Sequence, residues 1–175
     1  MKVTVIGNGV SRAPIPLHQI RGLTVGCNAV YRDYTPNYLC VVDHAITKEI
    51  HESDYQGVVY YRHMTLRRLN LRQKINWYTP HFMNSDNTGN SSILLAKDLG
   101  AEEIDLIGFD GVEQKLYPDT MQPNDKFAMW NERLMYVCKD VAVRRVVDST
   151  CAAMNISSIS VDDYIKELNE NYSNR

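Results

Sequence analysis

Several absences narrow the problem before any motif is considered. No apolar run in the 175 residues approaches the length of a membrane-spanning helix. No signal peptide is evident, since Lys2 is followed at once by a strand-like run. The cysteines, Cys27, Cys40, Cys138 and Cys151, never form a Cys-x-x-Cys pair, which argues against a zinc site, and Cys27 and Cys40 sit in apolar runs as small core residues. A soluble, reduced, cytoplasmic protein is expected. Neither sign of charge dominates: a net charge of −2 gives no overall pull toward nucleic acid or an anionic membrane. Internal repeats and low-complexity segments are also missing. One domain over 1–171 is therefore expected, with a frayed tail at 172–175.

The chain opens on a β-branched run that leads straight into Gly7-Asn8-Gly9-Val10-Ser11-Arg12. This pattern predicts a buried strand ending in a tight polar turn, where glycine leaves backbone N–H groups open to a phosphate. The full Gly-x-Gly-x-x-Gly pattern is absent, because Ala13 and Pro14 stand where a helix with a third glycine would begin. Further strands are predicted at 23–26, 38–42, 58–61, 75–78, 104–107 and 156–161. They are nearly continuous apolar runs, the mark of parallel strands buried on both faces. Several end in a polar residue: Asn8, Asn28, Asp43 and Asp110. Each alone is a good turn-former. In an open parallel sheet, however, such residues gather at one edge, where ligands bind.

Helices are predicted at 45–53, 64–74, 90–99, 127–141 and 162–171, with 142–154 either continuing the fourth or forming another. The fold class is thus α/β, a Rossmann-like, mainly parallel sheet with helices on both faces. Arg67, Arg68, Arg72 and Lys74 form a local basic stretch, read either as a solvated helix face or as a contact for phosphate or an acidic acceptor. The irregular segment 110–127, with Tyr117 in its middle, has the character of a lid. The Met- and aromatic-rich stretch 127–136 suits the core or an interface between copies of the chain. The segment Asn84–Ser92 is almost wholly polar and runs into the helix at 90–99. Its Asn87, Thr88, Gly89 and Ser91, at a helix N-terminus, suit a phosphate or carboxylate; plain capping would need only one of them.

Gly7-Asn8-Gly9-x-Ser11, Cys27-Asn28-Ala29, the run from Pro36 to Asp43, and Asn87-Thr88-Gly89 followed by the run from Leu99 to Asp110 come in one order. This order resembles the superfamily that joins bacterial CMP-sialic-acid-dependent sialyltransferases to archaeal 6-hydroxymethylpterin diphosphokinase-like domains. The resemblance covers roughly residues 3 to 110. It implies a Rossmann-like nucleotide-binding sheet in which Asn8, Asn28 and Asn87-Thr88-Gly89 hold a nucleotide-sugar donor. Asp43 matches a position that is Asn in the sialyltransferases and acidic in the diphosphokinase-like group, and Asp110 an acidic position in both; Tyr117 lies where the sialyltransferases place donor-phosphate tyrosines. The pattern departs from the family at Val10, where proline is usual, and in having no histidine after His81. That leaves Asp43, His44, His63, His81 and Asp110 as candidate bases, with His44 best placed.

Three functions remain open. The first is a glycosyltransferase that takes a nucleotide or nucleotide-sugar and a small-molecule or glycan acceptor, with no cofactor required. The second is a diphosphokinase-like enzyme with Mg²⁺ on Asp43 and Asp110. The third is a non-catalytic nucleotide-binding or assembly module. No nucleic-acid partner is expected.

Overall fold

The computed structural model describes residues 1–80, 87–113, 115–120 and 124–173. Eight parallel strands form one sheet in the order β5-β4-β3-β2-β1-β6-β7-β8. They are β1 (Lys2–Ile6), β2 (Leu23–Cys27), β3 (Tyr38–Val41), β4 (Val58–Tyr61), β5 (Trp77–Tyr78), β6 (Glu103–Ile107), β7 (Ala142–Val147) and β8 (Ser157–Ser160). The helices are α1 (His44–Glu52), α2 (His63–Arg68), α3 (Thr88–Asp98), α4 (Phe127–Val137) and α5 (Val161–Ser173). The α/β, Rossmann-like expectation holds.

Alternate residues of each strand serve opposite faces. Cys40 and Val42 join Val3, Val5, Ile104 and Leu106 under Ile93, Leu95 and Ala96 of α3 and Leu134 of α4. Leu39 and Val41 face the other way, toward Ile46 and Ile50 of α1. Ile107 and Val146 pack with Val161, Tyr164 and Leu168 of α5. Both faces are therefore covered, which is what the unbroken apolar runs require. The chain adds β2 to β5 on one side of β1 and then crosses to place β6 on the other. The gap where the strand order reverses, between β1 and β6, is where such folds open a crevice.

Two predicted helices are cut short, and one is a strand. α2 ends at Arg68 rather than near 74, because Asn70 turns to φ +53 and the Leu71 N–H bonds back to the Leu66 carbonyl at 2.9 Å. α4 ends at Val137, and Asp140 takes φ +64. The following residues, expected to be helical, form β7 alongside β6. Arg144 bonds there to Asp105 of β6 and Glu167 of α5. Arg145, 2% exposed, donates to the Phe109 and Ala152 carbonyls. Partners distant in sequence thus hold in a strand a segment whose local pattern continues a helix. α5 extends to Ser173, so the tail expected to fray from residue 172 is helical for two residues more.

Candidate functional site

Because the strands run one way, the residues that follow them meet at one edge, around a cavity of about 370 Å³. Gly7, Asn8 and Gly9 arrive from β1, Asn28 from β2, Asp43 and His44 from β3, and Gly108 to Asp110 from β6; Asn87, Thr88 and Gly89 open α3. All of them line the cavity. Asn28 takes φ +46, a left-handed conformation that asparagine tolerates. Its Oδ1 accepts a hydrogen bond from Thr88 Oγ1 at 2.8 Å, and Thr88 Oγ1 in turn accepts from the Val42 N–H at 3.3 Å. One threonine therefore ties the ends of β2 and β3 to the start of α3. Asn87 caps α3, its side chain accepting from the Asn90 N–H at 2.8 Å. The first N–H groups of a helix have no carbonyl one turn back, so those of Thr88 and Gly89 remain for a ligand, at the positive end of the helix dipole.

The glycine turn works differently from the expectation. The Gly7 N–H bonds to the Ile107 carbonyl at 2.7 Å and the Gly9 N–H to the Gly108 carbonyl at 2.9 Å. These donors are spent on the adjacent turn of β6 and are not open to an anion. The glycines are there for clearance instead. A Cβ on Gly7 would lie 2.5 Å from the Gly108 carbonyl oxygen, and one on Gly9 would lie 2.3 Å from Asp110 Oδ1. Asp110, 3% exposed, fastens this joint, accepting from the Ser11 N–H at 3.1 Å and from Ser11 Oγ at 2.5 Å, one on each carboxylate oxygen. Asp43 spends Oδ1 on the Ala45 and Ile46 N–H groups at the start of α1. The pair does not suit a Mg²⁺ ion bridging phosphates: both oxygens of one carboxylate are engaged by Ser11, and a lysine faces the other. Among the described residues no three His, Cys, Asp or Glu side chains come together as a metal site.

The opposite wall was not foreseen in the sequence. Lys115 pairs with Gly9 in an antiparallel bridge, and the Leu116 N–H bonds to the Asn8 carbonyl at 2.9 Å, so the segment after Asp110 folds back over the glycine turn. The Lys115 ammonium lines the cavity and reaches one carbonyl, that of Thr120, at 3.3 Å. Burial pushes its pKa below the ordinary lysine value, while the nearby charge of Asp43 pulls it upward. Phe127, Trp130, Asn131 and Leu134 present one face of α4 to the cavity, and Phe127 packs edge-on against Trp130 at 5.3 Å. Asn131 holds the loop by donating to the Gly111 carbonyl at 3.1 Å. These residues fall in the stretch 127–136 expected to serve the core or an interface. Met129, in the same stretch, is 38% exposed. Cavity-lining side chains that carry buried polar atoms with no hydrogen-bond partner among the described residues include Asn8 Oδ1, His44 Nε2 and Trp130 Nε1. Buried polar atoms are usually paired, and unpaired ones on Gln19, Tyr55, Thr65 and Trp77 lie away from the cavity. Cys27, also in the lining, donates to Ser92 Oγ at 3.1 Å, and burial pushes its thiol up to about 12, so it is no nucleophile at neutral pH.

Three expected contact residues do not line the cavity. Ser11 lies beneath the glycine turn on Asp110. Ser91 is fully buried and bonds back to the Asn87 carbonyl at 3.1 Å. Tyr117 accepts from Arg12 at 2.7 Å, with the Arg12 and Arg32 guanidinium groups over its ring, and it strengthens the loop instead of facing the cavity. Of the other candidate bases, His63 is exposed outside the cavity lining, and His81 lies outside the described residues.

No family model matches the chain, and no curated protein matches it. Solved structures do. The sialyltransferase CST-II in complex with a trisaccharide acceptor and CMP superposes with a TM-score of 0.52 at 13% identity, over 83% of this chain and 80% of that one. CstII from Campylobacter jejuni with the substrate analogue CMP-3FNeuAc gives 0.50 at 14% identity, over 83% and 78%. The likeness is one of fold.

Proposed function

We propose that the chain is a transferase that binds a nucleotide-sugar in this cavity and moves its glycosyl group to a hydroxyl acceptor. The observation that carries the reading is the set of unpaired atoms on Asn8, His44 and Trp130, arranged around a cavity that also holds a helix N-terminus and a lysine. The fold shared with structures that hold CMP and an acceptor supports it.

In this reading the diphosphate or phosphate oxygens sit between the Thr88 and Gly89 N–H groups and the Lys115 ammonium, which supplies positive charge without a metal. Asn8 Oδ1 and the Asn28–Thr88 pair orient the nucleoside. The bond from the anomeric carbon to the phosphate oxygen breaks, and its electrons leave with the phosphate. A bond from the acceptor oxygen to that carbon forms. The acceptor proton passes to His44 Nε2, the one unpaired imidazole nitrogen in the lining. The segment after Asp110 covers the reacting groups and excludes water.

The test is a thermal-shift screen with CMP, UDP and their sugar conjugates, followed by a turnover assay of any conjugate that binds. A metal-independent shift is expected with a nucleotide-sugar, together with slow release of the nucleotide. His44→Ala should abolish that release and leave nucleotide affinity nearly unchanged, and Asn8→Ala should weaken affinity about tenfold. A shift only with ATP or GTP plus Mg²⁺ would replace the reading with diphosphate transfer. Binding without turnover would make the protein a nucleotide-binding module. No shift with any nucleotide would remove the reading altogether.

A further inference from the structure

Along the chain, charge is segregated into one stretch. Residues 55–85 contain Arg62, Arg67, Arg68, Arg72 and Lys74 and no aspartate or glutamate, in a chain whose net charge is −2. Elsewhere several arginines are neutralised: Arg12 pairs with Asp33, Arg32 with Glu49 and Asp119, and Arg144 with Asp105 and Glu167. Arg67, Arg68, Arg72 and Lys74 have no such pair among the described residues, and the three arginines are exposed. Among the described residues, four cations within eight residues therefore have no counter-charge, which a surface serving only solubility would intersperse with carboxylates.

Exposed apolar side chains occur in the same stretch of chain. Met64, Arg67 and Arg68 fall at i, i+3 and i+4 on the outward side of α2, while Thr65 and Leu66 turn inward. Met64 is 39% exposed and Ile75 is 98% exposed. Ile75 is held out by its neighbours. Trp77 is fully buried, with its ring edge-to-face with His51, and Asn76 Nδ2 bonds to the Gln56 carbonyl at 2.8 Å. A fully exposed isoleucine between anchored residues, next to unpaired cations, has the make-up of an interfacial contact: cations for phosphate headgroups and apolar side chains for the acyl boundary.

We infer that α2 and the segment leading into β5 form a docking face for an anionic phospholipid surface. Arg62, the first cation of the stretch, lines the cavity, so the docked face and the cavity share an edge. The inference stands apart from the nucleotide reading and is tested without any nucleotide. Nucleic acid would use the cations but leaves Ile75 and Met64 without a role.

The experiment is flotation of the whole chain with phosphatidylcholine vesicles that contain or lack phosphatidylglycerol. Binding is expected only with phosphatidylglycerol at about 0.1 M salt, and is lost near 1 M. The variant Arg67→Gln/Arg68→Gln/Arg72→Gln/Lys74→Gln should lower partitioning by about 100-fold or more. Ile75→Ser, which keeps every charge and alters a side chain that packs on nothing, should lower it about tenfold; it serves as the independent arm if the fourfold variant folds poorly. Equal binding to uncharged vesicles, no binding at low salt, or partitioning indifferent to both variants would overturn the inference. So would tight binding of a single-stranded polynucleotide that Ile75→Ser leaves unchanged.

Discussion

Gly7-Asn8-Gly9 and Asn87-Thr88-Gly89 are both short polar segments carrying glycine, both at the edge of the sheet, and both read from sequence as cradles for an anion. They end in different roles. The first spends its Gly7 and Gly9 N–H groups on the carbonyls of Ile107, at the end of β6, and Gly108, just after it, and uses its glycines for clearance, so that the two chain segments touch. The second begins an eleven-residue helix, and its first N–H groups have no internal partner to spend themselves on. Glycine in the first serves stability; glycine in the second keeps a backbone donor approachable. Spacing and residue type do not separate the two roles. The neighbouring chain does.

The comparison can be broken by exchanging the effects. Gly7→Ala should lower the unfolding free energy by about 1–3 kcal/mol, because its Cβ meets backbone that cannot turn aside; denaturant unfolding checks this. Gly89→Ala should change stability by less than about 1 kcal/mol, since the nearest atom to its Cβ is Phe109 Cε1 at 3.0 Å, in a ring at the cavity wall that has room to shift. The affinity of Gly89→Ala for inorganic phosphate, read by calorimetry, should fall about tenfold. If Gly7→Ala were neutral to folding, or Gly89→Ala neutral to phosphate, the division of roles would fail.

Smaller effects sharpen it. Asn87→Ala removes the cap of α3 and should cost about 1 kcal/mol of stability in the same unfolding experiment, whether or not a ligand is present. Lys115 gives a pH signature. Burial holds its pKa below the ordinary lysine value, so its ammonium is lost earlier as pH rises, and phosphate affinity should decline in step. Above the depressed folded value the unfolded chain binds more protons than the native one, so this group makes the apoprotein more stable as pH rises toward the ordinary lysine value. Lys115→Met should therefore flatten the pH dependence of phosphate binding while slightly stabilising the apoprotein at neutral pH. A steep dependence that survives in Lys115→Met would place the anion elsewhere.

The near wall of the cavity was legible because each of its residues directly follows a strand whose apolar run announces itself: Asn8, Asn28, Asp43 and Asp110. The helix start at Asn87-Thr88-Gly89 was legible for a similar reason, since capping chemistry is local. The far wall was not. Lys115 reaches the cavity only because its backbone pairs with Gly9, more than a hundred residues earlier in the chain. Trp130 and Phe127 carry a helical spacing that means core or cavity depending on what stands opposite. β7 occupies residues expected to be helical, and Val137, Cys138 and Val141 continue the helical spacing of α4 up to it. The four valines from Val141 to Val147 were the opposing signal, and it takes Asp105, Glu167 and the Phe109 carbonyl to make room for two arginines in a strand.

By itself, the sequence determined a parallel sheet with covered faces and a polar edge, because strand burial and helix capping are written in neighbouring residues. Tertiary structure decided which donors at that edge stay open, that Asp110 and Ser11 serve the joint between β1 and β6, and that a lysine and an indole complete the cavity. These outcomes depend on hydrogen bonds and clearances between segments far apart in the chain, and residue spacing carries no information about which distant group will claim a given N–H.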